Sequence, residues 1–581
     1  MTRVLLAAAL CAGSSALAEP VVERNVPVPM RDGVTLRANL LRPVAAGRFP
    51  TLVYRTPYGK DDAQKRYSLH HRAVERGYAV VLQDVRGRYE SDGEFEPYRN
   101  DGRDGFDTIA WAAAQPWSNG DVGTFGLSYP GAVQWLAALE SPPALKAMAP
   151  AMTYSTPRNF FHSGGVFDLS WISWIWHNIA PDVRRRRNLA GPRTSEQAEE
   201  SWTRVGAELR ARLPLNELPE LRDVAPYYFE WMAHPPGDPW WDWAEVRGRY
   251  GRTTAAVLNL SGWYDEAYGP EGAFTNFLGL LEARRGQVDP RAELVIGPWV
   301  HGIATIGNAR SGEREFGPAA KMNYDALVLD FMDRHLRGAK SAPPPRVRVF
   351  VMGENAWRNG ETWPLVGASE RPLSLSGGEG AGPGRLVFGG EPVRPGSRSF
   401  VSDPKAPVVD SFAPATGAHD YRALAQREDV AVFETEPLGE DLTLVGRIRA
   451  EVFVAVDAPD TDLWLKLYDV ASDGAAFNLM SPGLDLVRAS YRDGGPERKL
   501  LEPGRPVLLR FDDLMTGNRF ARGHRLRVVL TSSFHPHFSH NLHTGDDEAL
   551  SARSRPATLK VLFDAEHPSR LLLPVLPSAP R

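Results

Sequence analysis

The chain has 581 residues, of which 43% are hydrophobic and 24% are charged, and its formal net charge is −4 at pH 7. This length is too great for one hydrophobic core, so we expect about three to four structural units. The small negative charge argues against a surface that binds nucleic acid or an anionic membrane.

The N-terminus predicts an export signal. A positive residue near the start is followed by an apolar stretch over residues 4–12 and by Ala16-Leu17-Ala18, a small-x-small cleavage site. We therefore expect residues 1–18 to be removed and the mature protein to be periplasmic or secreted. Cys11, the only cysteine, lies in this segment, so the mature protein would have no disulfide. No later apolar run reaches the roughly 18 residues that a membrane span needs.

The next part of the chain alternates between predicted strands and helices. It begins with a hairpin over residues 26–43, and a helix ends near Arg76-Gly77. Further strands are predicted at 51–54, 78–83, just before Ser128, 255–260, 292–296 and 347–352, and further helices at about 104–115, 271–284 and 326–337. This alternation is typical of an α/β layer with a mainly parallel sheet. Ligands bind such sheets beyond the carboxyl ends of the strands.

Residues 154–248 interrupt the alternation and contain no convincing buried strand. Eight of the sixteen tryptophans lie there, which indicates a helical insertion. We expect most of these rings to pack the helices together. Trp171 and Trp174 lie on one helical face, however, and that face could roof a pocket.

The character of the chain changes again near residue 366. Apolar residues then alternate with their neighbours, as at 450–456, 463–467 and 526–530. This pattern predicts an all-β sandwich or jelly roll of about 210 residues. The predicted domains are the signal (1–18), the α/β layer (19–153 and 249–365), the helical cap (154–248) and the β domain (366–581).

Three predicted strand ends carry Ser128, Asp265 and His301. Ser128 lies in a strand, turn and helix pattern of the kind that forms a nucleophile elbow, which needs small neighbours such as Gly126. The second glycine comes three residues after the serine, at Gly131, so an ordinary turn serine is the alternative. Serine needs an imidazole to accept its proton and a carboxylate to orient that imidazole. The order Ser, Asp, His is that of an α/β-hydrolase triad.

Two other residues compete for roles in this triad. His162 precedes Asp265 in the chain, which breaks the expected order. Asp84 also follows a strand but precedes the serine, and Arg86 and Arg88 lie close to it. We therefore expect Asp84 to belong to a structural salt-bridge network.

Neither a cofactor nor a metal is expected. The sequence contains no glycine-rich phosphate loop. Histidines at positions 535, 537, 540 and 543 are closely spaced, but no carboxylate follows until Asp546 and Asp547. A polar loop is therefore the preferred interpretation of this segment, with metal binding as the alternative.

Five motifs together resemble one known family. They are Thr56-Pro57-Tyr58, Asp84-x-Arg86-Gly87, Gly126-x-Ser128-Tyr129-x-Gly131, Gly262-Trp263-Tyr264-Asp265 and Gly297-Pro298-Trp299-x-His301. Over residues 24–575 the chain resembles the cocaine esterase family of serine hydrolases, which is related to X-Pro dipeptidyl-peptidases, α-amino-acid ester hydrolases and glutaryl acylases. In that family the late glycine of the elbow is the norm.

The resemblance implies a fold and a set of roles. The fold would be an α/β-hydrolase with a helical cap and a C-terminal jelly roll. Ser128, Asp265 and His301 would form the catalytic triad. The hydroxyl of Tyr58 and the backbone N–H of Tyr129 would form the oxyanion hole.

The expected partner is a small-molecule ester or activated amide. An amino-acyl ester or X-Pro peptide substrate would need a carboxylate for its ammonium group, and Glu266 and Asp168 are the candidates. Trp171, Trp174 and Glu266 are thus the predicted substrate-binding residues. The alternative of another class is a non-catalytic protein that binds its ligand through the β domain. The sequence carries no signal for an oligomeric state.

Overall fold

The computed structural model describes residues 19–266, 268–340, 342–378 and 382–577. The predicted export signal at 1–18, with Cys11, lies outside the described residues. None of the helices in the described ranges combines the length and the hydropathy that a membrane crossing requires.

The N-terminal half forms a ten-stranded sheet. Its strands are β1 (Val21–Pro29), β2 (Thr35–Arg42), β3 (Phe49–Thr56), β4 (Ala79–Asp84), β5 (Ser118–Leu127), β6 (Leu145–Ala151), β7 (Ala256–Tyr264), β8 (Ala292–Val300), β9 (Val347–Val351) and β10 (Ala356–Gly360). The order across the sheet is β1-β2-β4-β3-β5-β6-β7-β8-β9-β10. Strands β3 to β9 are parallel, and antiparallel strands complete both edges. This confirms the predicted α/β layer.

Helices cover both faces of this sheet, and its central strands are therefore buried. Every residue of β4 is buried. Val81 belongs to the core on one face, whereas its neighbours Val80 and Leu82 belong to the core on the other. The covering helices are α1 (Lys60–Arg66), α2 (Leu69–Glu75), α3 (Asp101–Ala113), α4 (Tyr129–Leu139), and, later in the chain, Glu271–Ala283 and Tyr324–Leu336.

Two strands of the sheet are missing from the sequence prediction. Strand β6 has the sequence LKAMAPA, which is poor in the β-branched and aromatic residues that favour strands. It becomes a strand because it lies between β5 and β7 in the middle of the sheet. The second is β10, which pairs with β9, so that the predicted last strand does not close the layer.

Residues 154–248 form a mainly helical cap, as predicted. Its helices are α5 (Pro157–Phe161), α6 (Ser170–Trp174), α7 (Ala180–Arg187), α8 (Ser195–Ala211), α9 (Pro219–Arg222) and α10 (Tyr227–Ala233). A π-helical turn, Ile175–Ile179, joins α6 to α7. The prediction of no buried strand needs one correction, because His162–Ser163 pairs with Val166–Phe167 in a short ladder.

The C-terminal part is β-rich, as predicted, and forms a twelve-stranded sheet that begins at Ser369. Its strands are β11 (Ser369–Ser376), β12 (Gly384–Phe388), β13 (Ser397–Ser402), β14 (Ala431–Glu434), β15 (Leu442–Val456), β16 (Asp462–Val470), β17 (Ala476–Asn478), β18 (Leu486–Arg488), β19 (Val507–Phe520), β20 (Arg525–Thr531), β21 (Ala557–Leu562) and β22 (Arg570–Leu576). The alternating apolar residues of β15, β16 and β20 are buried in one core.

This second sheet packs against the end of β7. The Tyr264 hydroxyl donates to the carbonyl of Asn478 at 2.9 Å, and the Ser481 hydroxyl donates to the carbonyl of Tyr264 at 2.8 Å. The β-rich part therefore supports the strand end that carries Asp265.

Candidate active site

Ser128 occupies the bend between β5 and α4, with φ 70° and ψ −129°. L-residues rarely adopt such a conformation, so the surrounding packing must enforce it. A Cβ on Gly126 would lie 2.5 Å from the Cβ of Pro130, and one on Gly131 would lie 2.6 Å from the carbonyl oxygen of Ala151. Steric contact thus requires both glycines, and a glycine three residues after the serine completes this turn.

Asp265 and His301 follow the neighbouring strands β7 and β8, and their side chains meet at the sheet edge. Nδ1 of His301 lies 2.8 Å from Oδ1 of Asp265. Asp265 is only 1% exposed, and the Ser261 hydroxyl donates to its Oδ2 at 3.2 Å. Because Nδ1 faces the carboxylate, Nε2 is the imidazole nitrogen left to accept a proton.

Glu266 lies beside this pair and acts on the imidazole. The backbone N–H of His301 donates to Oε2 of Glu266 at 3.0 Å. Burial disfavours the charged imidazole, but the charge and hydrogen bond of Asp265 and the charge of Glu266 outweigh it. The pKa of His301 is therefore raised above its ordinary value of 6.5. Glu266 is thus an electrostatic neighbour of the candidate base.

Tyr58 lies in the loop between β3 and α1, and a residue of the cap binds its phenol. The phenol oxygen accepts the indole N–H of Trp174 at 3.1 Å. Burial raises the pKa of the phenol to about 12, although the side chains of Trp174 and Ser128 both act to lower it. The hydroxyl therefore keeps its proton at neutral pH and can donate it.

Tyr129 presents its backbone rather than its ring to the site. It is the first residue of α4, where backbone N–H groups have no intrahelical acceptor and carry the positive end of the helix dipole. Its hydroxyl donates to Oδ2 of Asp101 at 2.6 Å and accepts the backbone N–H of Tyr98 at 3.0 Å. These bonds fix the buried ring and hence the first turn of the helix.

Asp84 anchors the loop that carries Tyr58, and the predicted partners of this carboxylate were wrong. Its Oδ1 accepts the backbone N–H of Lys60 at 2.6 Å, and its Oδ2 accepts Nζ of the same lysine at 2.9 Å. Arg86 turns away to pair with Asp104. The salt bridge is structural, as expected, but Lys60 reaches Asp84 because it immediately follows the loop beside β4.

Arg88 has a role that sequence reasoning missed. Its guanidinium is fully buried and donates to three backbone carbonyls: Pro57 at 2.9 Å, Asn178 at 2.8 Å and Ile179 at 3.0 Å. The first carbonyl belongs to the loop between β3 and α1, and the other two belong to the π-helical turn of the cap. A rigid guanidinium fork thus joins the loop that carries Tyr58 to the π-helical turn that directly follows Trp174.

The two tryptophans predicted to bind substrate have different surroundings. Trp174 is half-buried and lies parallel to the ring of Tyr129, with centroids 6.2 Å apart. Trp171 is 4% exposed and packs at 4.7 Å against both Phe160 and Phe161. Trp174 therefore faces the candidate site, whereas Trp171 is part of the aromatic core of the cap.

The remaining polar candidates of the cap, His162 and Asp168, are both buried. His162 is buried, which lowers its pKa to about 3. Asp168 accepts the backbone N–H of Ser170, the first residue of α6, at 2.7 Å, and burial raises its pKa to about 6. A cavity of about 580 Å³ lies between the cap, the α/β layer and the second sheet, and is lined by residues that include Glu266, Asp168 and Asp513.

Two of the four histidines in the C-terminal loop bind separate side chains. Nε2 of His537 lies 2.7 Å from Oδ2 of Asp410, and Nε2 of His543 lies 3.1 Å from the Ser402 hydroxyl. In the described part of the chain, no group of three or more His, Cys, Asp and Glu side chains is arranged to hold a metal ion.

Comparison with known proteins supports a single relationship along the chain. Residues 32–303 match the model of the X-Pro dipeptidyl-peptidase (S15) family, and residues 339–572 match that of the X-Pro dipeptidyl-peptidase C-terminal non-catalytic domain. The chain is 34% identical to the cocaine esterase of Rhodococcus sp. (strain MB1 Bresler) over 96% of its own length and 98% of that protein.

Solved structures share the whole fold at lower identity. An aminopeptidase from a marine sediment archaeon (Thaumarchaeota archaeon) is 24% identical, with a TM-score of 0.82 and 97% of each chain covered. An α-amino acid ester hydrolase is also 24% identical, with a TM-score of 0.72 and coverage of 99% of this chain and 98% of that one. The chain belongs to the family of serine hydrolases that includes cocaine esterase and the S15 X-Pro dipeptidyl-peptidases.

Proposed function

We propose that the protein is an esterase that cleaves carboxylic esters, or activated amides, through an acyl-enzyme. The observation that carries this proposal is the 2.8 Å contact of Asp265 with Nδ1 of His301, on the sheet edge that also bears the strained Ser128. A carboxylate in this position fixes the tautomer in which Nε2 can act as a base. The family membership gives independent support to a serine nucleophile.

In the first half-reaction, Nε2 of His301 takes the proton of Ser128 while the serine Oγ attacks the acyl carbon. The carbonyl π electrons move to oxygen, and the hydroxyl of Tyr58 and the N–H of Tyr129 donate to this oxyanion. Collapse of the tetrahedral intermediate breaks the bond to the leaving oxygen. The leaving alkoxide receives the proton from the imidazolium and departs as an alcohol.

In the second half-reaction, water replaces the alcohol. His301 takes a proton from the water as its oxygen attacks the acyl-enzyme. The same two donors hold the second oxyanion. Collapse then expels the Oγ of Ser128, which regains its proton from His301 as the carboxylic acid is released.

The amine-recognising activities of the family are the second candidate. They require a carboxylate that is available to a substrate ammonium group. Glu266 already accepts the backbone N–H of His301, and Asp168 accepts that of Ser170. These engagements favour a plain ester over an X-Pro peptide or an α-amino-acid ester.

A rate panel on the purified mature protein tests the proposal. It compares p-nitrophenyl butyrate, an α-amino-acid methyl ester and Gly-Pro-p-nitroanilide, with Ser128→Ala as the blank and the neighbouring Ser141→Ala as the matched control. We expect the butyrate ester to be cleaved fastest, with turnover lost only in Ser128→Ala. Preference for a free-amine substrate by more than about tenfold, roughly 1.4 kcal/mol, would favour the second candidate.

We also propose that residues 1–18 direct export. The sequence pattern described above is the support for this step. Expression of the full-length gene product in a bacterial host, followed by N-terminal sequencing, should give a mature protein in the periplasm or medium that begins at Glu19. An uncleaved protein retained in the cytoplasm would contradict the proposal.

A further inference from the structure

Tyr268 contacts the acid and the base of the proposed triad. Its backbone N–H donates to Oδ1 of Asp265 at 3.4 Å. Its ring stacks on the imidazole of His301, with centroids 5.6 Å apart and an interplanar angle of 30°. Its phenol also lies close enough to Ser128 for that side chain to influence the pKa of the phenol.

The surroundings of Tyr268 hold its side chain in place. The ring also stacks on Phe160, with centroids 4.4 Å apart and an interplanar angle of 12°. The phenol oxygen lies 3.3 Å from the hydroxyl of Tyr98. The latter residue is itself fixed, because its backbone N–H donates to Tyr129 and its ring stacks on that residue at 4.3 Å. The ring and the hydroxyl of Tyr268 are thus both restrained.

We propose that Tyr268 is a positioning residue, whose ring sets the plane of the His301 imidazole and whose backbone N–H helps to hold the Asp265 carboxylate. This inference rests on the proposed function. Proton transfer from a serine to an imidazole requires the two groups to be within hydrogen-bonding reach and aligned. Misplacement of reacting groups by about 1 Å can lower a rate by roughly a hundredfold. Tyr268 restrains the imidazole through its ring and the carboxylate that orients this imidazole through its backbone.

The aromatic face has a second effect during the reaction. His301 becomes positively charged when it takes the serine proton. A cation next to the face of a tyrosine ring is stabilised by the ring quadrupole. The stacking therefore stabilises the His301 imidazolium that forms during the reaction, and it also holds the neutral imidazole in place.

Two substitutions separate the hydroxyl from the ring. Tyr268→Phe keeps the stacking but removes the hydroxyl that bonds to Tyr98 and holds the ring, and we expect kcat to fall about tenfold with KM changed less than about twofold, since one hydrogen bond is lost. Tyr268→Leu removes the ring as well, and we expect a further fall of about tenfold. The rate constant for phosphonylation of Ser128 by a fluorophosphonate should fall in parallel, because this step needs the nucleophile and base but no ester substrate.

Tyr154→Phe is the matched control. Tyr154 is also buried and also stacks on Phe160, at 5.3 Å, but its hydroxyl has no hydrogen-bond partner among the described residues. We expect this variant to keep wild-type kcat and phosphonylation rates. Melting temperatures of all variants exclude unfolding as the cause of a lower rate.

The outcomes are distinct. If wild-type protein is phosphonylated at Ser128 and turns over ester, but both Tyr268 variants react within twofold of it, this inference is wrong while the proposed function stands. If the phenylalanine and leucine variants are equally slow, the ring has no positioning role. If wild-type protein neither reacts with the fluorophosphonate nor turns over ester, the proposed function itself fails.

Discussion

The indole N–H of Trp174, on the cap, donates a 3.1 Å hydrogen bond to the phenol oxygen of Tyr58, on a loop of the α/β layer. Because the oxygen accepts this proton, the phenol's own proton is directed to a different acceptor. Ser128 lies close enough to this phenol to influence its pKa. The cap therefore does more than cover the site, because it orients a proposed oxyanion donor.

Replacing Trp174 with phenylalanine tests this relationship. The change removes the N–H but keeps an aromatic ring beside Tyr129. We expect kcat to fall by about three- to tenfold, the effect of roughly 1 kcal/mol from one lost hydrogen bond. In a Tyr58→Phe background the same change should cost almost nothing more, since the hydrogen bond is already absent. Additive losses in this double-mutant cycle would mean that Trp174 acts on the substrate directly.

Tyr58→Phe by itself should have a larger effect. A donor aimed at a developing oxyanion contributes about 3 to 4 kcal/mol to the transition state, so we expect kcat to fall by roughly 10² to 10³. KM should change little, because the bond strengthens only as charge develops on the oxygen. Steady-state kinetics with p-nitrophenyl butyrate give both constants. A rise in KM with unchanged kcat would show that Tyr58 only helps to bind the ester.

The pH dependence of kcat/KM should reflect the influence of the neighbouring carboxylates on the pKa of His301. The base must be neutral to act, and its pKa is raised, so the acidic limb of kcat/KM should lie above pH 6.5. Glu266→Gln removes a negative charge that raises this pKa but keeps an oxygen for the backbone N–H of His301. The acidic limb of the kcat/KM profile should therefore move to lower pH, and the value of kcat/KM on the plateau should stay the same. An unmoved limb, or a limb shifted to higher pH, would contradict the electrostatic role of Glu266.

The sequence predicted the proposed triad because its three members share a simple signal. Ser128, Asp265 and His301 each follow an apolar run, and parallel strands bring their carboxyl ends to one edge of the sheet. Gly126 could also be anticipated, because the tight turn needs a small residue there. Local patterns and chain order were enough for these inferences, whereas the late glycine, Gly131, was explained only by the resemblance to the family.

The sequence carries no comparable signal for the positioning residues. Arg88 binds carbonyls about 30 and 90 residues away, and Tyr268 joins side chains from three elements. Contacts of this kind depend on tertiary packing rather than on periodicity. The partner of Asp84 was misjudged for the same reason, because the nearest arginines in sequence are not the nearest cations in space.

Arg88 offers a test of the link between cap and sheet. Arg88→Met leaves three carbonyls and the nearby carboxylate of Asp182, 3.6 Å from the guanidinium, without this cation. Loss of one partner from a buried charge costs about 3 to 5 kcal/mol, so the melting temperature should fall clearly, and the cap should become sensitive to limited proteolysis. Arg185→Met is the control, because this half-exposed arginine pairs with the same Asp182 at 2.6 Å. Its loss should change stability by less than about 0.5 kcal/mol.

The requirement for glycine at position 131 of the elbow can be tested by replacing it with alanine, the next larger residue. In Gly131→Ala the new Cβ would meet the carbonyl oxygen of Ala151 at 2.6 Å and the Cβ of Thr153 at 3.2 Å. Neither the strand backbone nor the helix can yield without moving Ser128, so we expect destabilisation of about 1 to 3 kcal/mol and a large loss of kcat. Gly307→Ala is the matched control, because its nearest atom would be 3.8 Å away and its φ of −82° suits alanine. Melting curves and kcat for both variants decide the matter: if Gly131→Ala retains wild-type activity, the close contact at the elbow does not hold the serine in place.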